Sequence, residues 1–155
     1  MNYSLYILLF STLFTFTACG DKDEDEMQEV ITCETSVGEL SEANAILSES
    51  AWEWVESRSQ GRNGEIIITP ESEGKTMSLV FSLGQSVEEL ENGQATGIWE
   101  YRLLESSDTT QGQFTTTWLN AGNIERDYFL DVCPEILILT DASSSLMSVT
   151  TYKRK

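Results

Sequence analysis

Histidine is absent from this chain of 155 residues, and basic residues are scarce. Because histidine is the commonest general base and the commonest zinc and copper ligand, its absence argues against histidine-based catalysis and against most transition-metal sites. We therefore expect no catalytic residue, no metal site and no cofactor. Nine Lys and Arg residues stand against 26 Asp and Glu, a formal net charge of −17. Such a charge repels phosphates and excludes nucleic acid as an expected partner.

Motifs of known enzyme classes are also missing. The sequence contains no glycine-rich phosphate loop, no nucleophile elbow and no Ser-Lys motif. Paired carboxylates, such as Glu88 with Glu89 or Glu71 with Glu73, are the arrangement that a glycosidase uses. These pairs fall in predicted loops or polar strands of an acid-rich chain, where a solvated surface is the expected role. The protein is therefore predicted not to be an enzyme.

The first 18 residues carry no charged side chain. Their apolar run over residues 5–16 is too short to span a bilayer, which needs about 20 residues, but it is typical of a signal peptide. The run ends in Phe16-Thr17-Ala18-Cys19, which resembles a bacterial lipoprotein signal. The resemblance implies cleavage before Cys19 and acylation of its thiol and new amino terminus by chains such as palmitate. The alternative is an ordinary secretory signal followed by an incidental cysteine.

A strongly acidic segment follows Cys19. Residues 20–26 hold five acidic side chains, one basic side chain and no apolar one, so we predict a solvated tether over residues 19–34. The segment resembles the acidic export tag of some Gram-negative lipoproteins. That resemblance implies a lipid anchor in the outer membrane with the protein exposed at the cell surface, and the periplasmic face is the alternative. A calcium loop is not predicted, because the required Gly turn and distal Glu are missing.

Residues 35–155 are long enough for one domain with its own core. Residues 38–50 place Leu40, Ala43 and Leu47 at helical spacing, with Ser41 as a candidate N-cap. Short strand patterns with turn signals between them then predict an all-β fold, an antiparallel up-and-down barrel of about eight strands behind one short helix. Asn92-Gly93 is the strongest hairpin signal. The predicted strands are 51–57, 65–69, 76–82, 85–90, 97–104, 113–119, 125–132, 135–140 and 146–154.

Two cysteines, Cys33 and Cys133, remain once Cys19 is acylated. An even pair outside the cytoplasm favours a disulfide. Two buried free thiols are the alternative. Catalysis by either thiol is not expected, because no histidine is available to activate it.

The order of several weak motifs resembles the lipocalin-like lipoproteins of Gram-negative bacteria. These motifs are a first strand bearing Trp52, the loop 69–74, the hairpin into 97–101, and an apolar strand followed by the basic C-terminus. Ala51 departs from the pattern, since a glycine is usual before this tryptophan. The resemblance implies a barrel that can hold one small apolar ligand. It also implies a structural contact between Trp52 and Arg154 that closes one barrel end.

The candidate lining of such a barrel is one aromatic-rich face. Side chains of this kind suit an adaptable apolar pocket, and the Tyr101 hydroxyl is a candidate partner for a ligand head group. The predicted ligand-binding residues are Met77, Leu79, Phe81, Trp99, Tyr101, Leu103, Phe114 and Trp118. The alternative is that these side chains fill the barrel. The protein is then an interaction lipoprotein that acts as a surface adaptor or a subunit of a complex.

Overall fold

The computed structural model describes residues 31–108, 110–143 and 147–155. The predicted signal peptide over residues 1–18, the predicted lipid on Cys19 and most of the tether lie outside the described residues. Within the described part of the chain, no helix is long and apolar enough to cross a membrane.

One helix precedes a series of strands, as the sequence predicts. Within the described residues the elements are α1 Leu40–Glu49, β1 Ala51–Gly61, β2 Gly64–Ile68, α2 Pro70–Glu73, β3 Met77–Phe81, β4 Ser86–Glu91, β5 Gln94–Glu105, β6 Phe114–Asn120, β7 Glu125–Val132, β8 Ile136–Asp141 and β9 Val149–Arg154. β1 and β5 are longer than predicted, because each hairpin ladder continues to its tight turn.

The strands form a closed antiparallel barrel. From β3 to β9 each strand pairs with the next, and β9 returns to pair with β1. β3 pairs with Ala51–Glu53 at the start of β1, whereas β2 pairs with Ser57–Gly61 at its end. β1 and β3 to β9 therefore make an eight-stranded ring, with β2 as a hairpin extension of β1. The predicted fold is confirmed, and closure leaves the ring without free edges.

The two ends of the barrel differ. We call the end against which α1 packs the plugged end; it also carries the turns 82–85 and 133–135. We call the opposite end the mouth; the turns 62–63, 92–93 and 121–124 lie there, because turns of an up-and-down barrel alternate between its ends. The apolar core runs from α1 into the barrel.

Local sequence explains the turn at Asn92-Gly93. Both residues have positive φ, 52° and 77°, as a two-residue hairpin turn of the primed type requires. Glu91 and Gln94 are directly paired on either side of it. The predicted hairpin is confirmed.

Two local features differ from the predictions. Ser41 is not the N-cap of α1: the helix begins at Leu40, Glu39 is the cap, and no side chain caps it. The helix α2 was not predicted. Its signal is a capping box, in which Thr69 and Ser72 exchange side-chain and backbone hydrogen bonds around a proline at the first helical position.

The predicted disulfide between Cys33 and Cys133 is confirmed, with 6.0 Å between the two Cα atoms. It ties the segment that precedes α1 to the β7–β8 turn at the plugged end. The Val37 amide donates to the Val132 carbonyl oxygen at 2.9 Å, beside the same turn. Segment and barrel are therefore joined by both a covalent bond and a backbone hydrogen bond.

Candidate functional site

The plugged half of the barrel is filled by side chains. Trp52 is fully buried, and its indole N–H donates to the Leu47 carbonyl oxygen of α1 at 3.0 Å. The Tyr101 hydroxyl donates to the Asn44 side-chain oxygen at 3.3 Å, also on α1. Large buried residues of this half are Trp52, Phe81, Phe114, Leu130, Val132 and Leu137. The helix thus seals this end, and two aromatic side chains bond directly to it.

All eight predicted lining residues belong to the core, seven of them buried and Met77 partly buried. Phe81 packs edge-on against Tyr101 and Trp118, with ring centroids 5.3 and 6.0 Å apart. The Tyr101 hydroxyl is engaged by α1, and burial raises the pKa of Tyr101. The structure therefore brings the predicted residues together, chiefly as packed core.

A charged and aromatic cluster lies at the mouth. Glu89 of β4 accepts hydrogen bonds from the Trp99 indole N–H at 2.8 Å and from Arg126 Nη1 at 3.1 Å. The Arg126 guanidinium also lies over the Trp99 ring, 4.2 Å from its centroid. We call Glu89, Trp99 and Arg126 the mouth cluster. It joins β4, β5 and β7, so it bridges across β6 on one side of the barrel.

Gly97 makes room for this cluster. It is paired with Glu89 across β4 and β5 and lies two residues before Trp99 on the same face of β5. A Cβ atom at Gly97 would stand 3.0 Å from Trp99 Nε1 and 3.1 Å from Glu89 Oε2. A Cβ at this position would crowd both side chains, so the absence of one gives room to the bond between Trp99 and Glu89.

The mouth cluster lines an open concavity of about 490 Å³. Its wall also includes Gly97 and, near the β6–β7 turn, Thr96, Ile98, Asn120, Ala121 and Gly122. The Glu89 side chain is 20% exposed and the Arg126 side chain is 44% exposed. A carboxylate and an aromatic face therefore lie beneath a more exposed guanidinium, in a space large enough for a small molecule.

Two tyrosines lie near the mouth cluster. Tyr128 packs against Trp118, with ring centroids 4.9 Å apart, and burial raises its pKa while the Arg126 charge opposes the rise. Burial also raises the pKa of Tyr152, and the Glu89 charge adds to that rise. Both hydroxyls therefore stay protonated at neutral pH.

The sequence did not identify Glu89 and Arg126 as site residues. The sequence predicts a solvated surface position for Glu89 and indicates no role for Arg126. The available signal was alternation: Glu89 lies two residues after Val87, and Arg126 lies two residues before Tyr128, so each shares a face with residues of the barrel interior.

The predicted contact between Trp52 and Arg154 takes another form. The two residues are paired across β1 and β9. The Arg154 guanidinium donates to Ser50 Oγ at 3.0 Å and to Glu49 at 2.9 Å, while Trp52 is covered by α1. Among the described residues, the cation–π contact is instead the one between Arg126 and Trp99 in the mouth cluster.

Within the described ranges, no group of three or more histidine, cysteine, aspartate or glutamate side chains has an arrangement that could hold a metal ion. Comparisons of the chain with family models, with curated proteins and with solved structures found no match.

Proposed function

We propose that this protein is a lipid-anchored, lipocalin-like lipoprotein that binds a small, largely hydrophobic molecule at the mouth of its barrel. The observation that carries the proposal is the open concavity of about 490 Å³ with Trp99 in its wall. Sites for small molecules are typically concave, largely apolar and supplied with a few polar groups that fix orientation. The mouth has this composition.

The filled plugged half favours the mouth over a deeper site. Residues around Trp52 and Phe114 are almost completely buried, and α1 covers them. Closer to the middle of the barrel, the buried polar atoms Thr116 Oγ1 and Trp118 Nε1 have no hydrogen-bond partner among the described residues. Unpartnered buried polar atoms are costly, but neither residue lines the concavity at the mouth, so the proposed site does not depend on them.

The proposed anchor is the acylated Cys19, in the outer membrane with the barrel at the cell surface. Its support is the resemblance of residues 16–19 to a lipoprotein signal and the acidic residues that follow. The described chain begins at the plugged end, where Cys33 is bonded to Cys133. An anchor that precedes this segment leaves the mouth accessible to ligand.

Mass spectrometry of the whole protein, extracted from membranes in a mild detergent, tests both parts. Under native conditions we expect a reproducible added mass that disappears on denaturation. Trp99→Ala should lose it, and Val80→Ala, which changes an exposed residue on the outer face of β3 away from the concavity, should keep it. No added mass after exposure to fatty acids, sterols and porphyrins contradicts the ligand. A denatured mass without acyl chains contradicts the anchor.

A second candidate function, a surface adaptor with a filled barrel, has its own support on the outer wall. Leu104 and Leu119 are 46% and 38% exposed there, and both line a concavity of about 720 Å³ on the outside of β5 and β6. Exposed apolar side chains grouped in this way are typical of protein contacts. Crosslinking of the wild type should capture a partner protein at this wall, and the double variant Leu104→Asp with Leu119→Asp should lose these crosslinks. Recovery of the same crosslinks from the double variant contradicts the adaptor.

A further inference from the structure

The mouth cluster has the composition of a cation site that is already occupied by a side chain of the protein. We infer that Glu89 and Trp99 form a binding site for an organic cation, and that Arg126 fills this site until a ligand displaces it. The inference rests on the proposed function, because it specifies the chemistry of the group bound at the same mouth. The class of ligand is an amine, a guanidine or a quaternary ammonium with a small apolar body.

The first step of the argument is the geometry around the guanidinium. On one side, Arg126 Nη1 donates to the Glu89 carboxylate at 3.1 Å. On another side, the guanidinium lies over the Trp99 ring, 4.2 Å from its centroid. Aromatic faces attract cations, and tryptophan attracts them most strongly. A charge-assisted bond to a carboxylate adds to this attraction. These two groups are the ones that would hold a free organic cation at the same point.

The second step is that the two fixed groups are held independently of Arg126. The Trp99 indole N–H donates to Glu89 at 2.8 Å, and Gly97 leaves the room this bond needs. Carboxylate and ring thus orient each other within one hairpin, β4 and β5. The site should therefore keep its shape when the guanidinium leaves.

The third step is that Arg126 is displaceable. Its side chain is 44% exposed, against 20% for that of Glu89, and it lies near the start of β7, beside the β6–β7 turn. Ion pairs and cation–π contacts at exposed positions are individually weak. A side chain on the same molecule nevertheless competes with a free ligand at a high effective concentration. Wild-type affinity for a free cation should accordingly be reduced.

Charge selects a cation over an anion. The chain has a formal net charge of −17, and such a field raises the local concentration of cations and repels anions. An anion would require Arg126 as its partner, but Glu89 and Trp99 already engage that guanidinium. A neutral molecule would gain nothing from the carboxylate. An organic cation is the class that uses both fixed groups.

Choline and two molecules of similar shape provide the test, with affinities measured by titration calorimetry. Neohexyl alcohol (3,3-dimethylbutan-1-ol) is the neutral isostere of choline, with carbon in place of nitrogen. The carboxylate 3,3-dimethylbutanoate is an anion of similar size. The whole protein is used, in a non-ionic detergent without amine or ammonium groups if it is acylated and in buffer if it is not. Arg126→Ala is compared with Arg102→Ala, which removes the same charge from the exposed outer face of β5.

We expect Arg126→Ala to bind choline about 5 to 30 times more tightly than Arg102→Ala does, because one exposed ion pair and one cation–π contact no longer compete. Adding Glu89→Gln to Arg126→Ala should remove most of this gain. Affinity for neohexyl alcohol should not differ between the two single variants. If Arg126→Ala fails to fold, Arg126→Gln serves in its place, because it is also neutral and shorter than arginine.

Two results overturn the inference. Equal choline affinity in Arg126→Ala and Arg102→Ala shows that no cation site lies beneath the guanidinium. If the wild type binds 3,3-dimethylbutanoate and Arg126→Ala does not, Arg126 itself forms an anion site. Neither result contradicts a hydrophobic ligand that mass spectrometry detects as an added mass and that Trp99→Ala loses. The cation inference and the proposed function can therefore fail separately.

Discussion

The plugged end and the mouth use tryptophan in opposite ways. At the plugged end, Trp52 is completely buried and bonds to the backbone of α1. At the mouth, Trp99 bonds to the carboxylate of Glu89 and supports the half-exposed Arg126. The first arrangement joins two elements of the fold. The second holds charges at a surface that solvent reaches.

This difference separates stability from binding along the barrel axis. Fully buried apolar area and the disulfide are concentrated near α1, so most of the packing free energy should come from that half. Ion pairs near the surface contribute little to folding, yet they give a site its charge and orientation. Changes at the plugged end should therefore affect stability most, and changes at the mouth should affect binding most.

Removing the disulfide should have the largest effect. Cys33 and Cys133 close a loop with a sequence separation of 100 residues, for which the chain-entropy model gives about 4 to 5 kcal/mol of stabilisation. We expect the double variant Cys33→Ser with Cys133→Ser to lose an amount of that order in urea unfolding. The Trp99 environment should stay native in the absence of urea. A loss below about 1 kcal/mol would contradict the view that stability is concentrated at the plugged end.

Leu47→Ala should have the next largest effect. Leu47 is fully buried on α1, and truncation of such a side chain costs about 2 to 5 kcal/mol. Because alanine favours the helical conformation, the lost stability will reflect packing and not helix propensity. Met77→Ala is the matched change near the mouth, where the side chain is only partly buried, and we expect it to cost less than half as much in urea unfolding. Equal losses would show that both halves are packed alike.

Gly97→Ala should have a smaller effect on stability but a clear one on the mouth. The new Cβ would meet Trp99 Nε1 at 3.0 Å and Glu89 Oε2 at 3.1 Å, and overpacking of this kind costs about 1 to 3 kcal/mol. Loss of the bond between Trp99 and Glu89 should also change tryptophan fluorescence. Gly38→Ala is the control, because a Cβ there meets nothing within 4 Å. The same fluorescence spectrum in both variants would contradict the role of Gly97.

The barrel was predictable because its signals are local and repeated. Alternating strands around Asn92-Gly93 determine which residues face inward, so the core residues Trp99 and Tyr101 were correctly placed together. The disulfide followed from the number of cysteines and their expected compartment. Ser41 was wrongly chosen as the helix cap, since a capping residue type does not fix where a helix begins when no side-chain bond forms.

The mouth cluster was not predictable to the same degree. Its three residues come from strands that are not all neighbours, and Glu89 and Arg126 are 37 residues apart. Alternation with Val87 places Glu89 on the inner face, but in a chain with 26 acids an acidic residue is expected at the surface, so the residue type opposes that signal. Whether aromatic residues leave a cavity or fill it depends on the shape of the closed barrel, and strand periodicity does not determine that shape.

Alkaline pH should produce the smallest effect. Burial raises the pKa of Tyr152 and of Tyr128, so the folded state keeps protons that the unfolded state releases near pH 10. The stabilisation is fully present below about pH 10 and is lost as pH rises through the folded pKa values. Linkage gives a loss of about 0.8 kcal/mol by about pH 10.5 for Tyr152, because burial raises its pKa far above the value in the unfolded chain.

The two tyrosines should differ in this test because their surroundings differ. The Arg126 charge opposes the rise of the Tyr128 pKa, whereas Tyr152 is more deeply buried. Tyr152→Phe should therefore flatten the dependence of urea stability on pH above about pH 9.5 more than Tyr128→Phe does. If Tyr128→Phe has the larger effect, the Arg126 charge does not oppose the rise of the Tyr128 pKa. Equal slopes in the wild type and both variants would show that neither hydroxyl is held protonated by the fold.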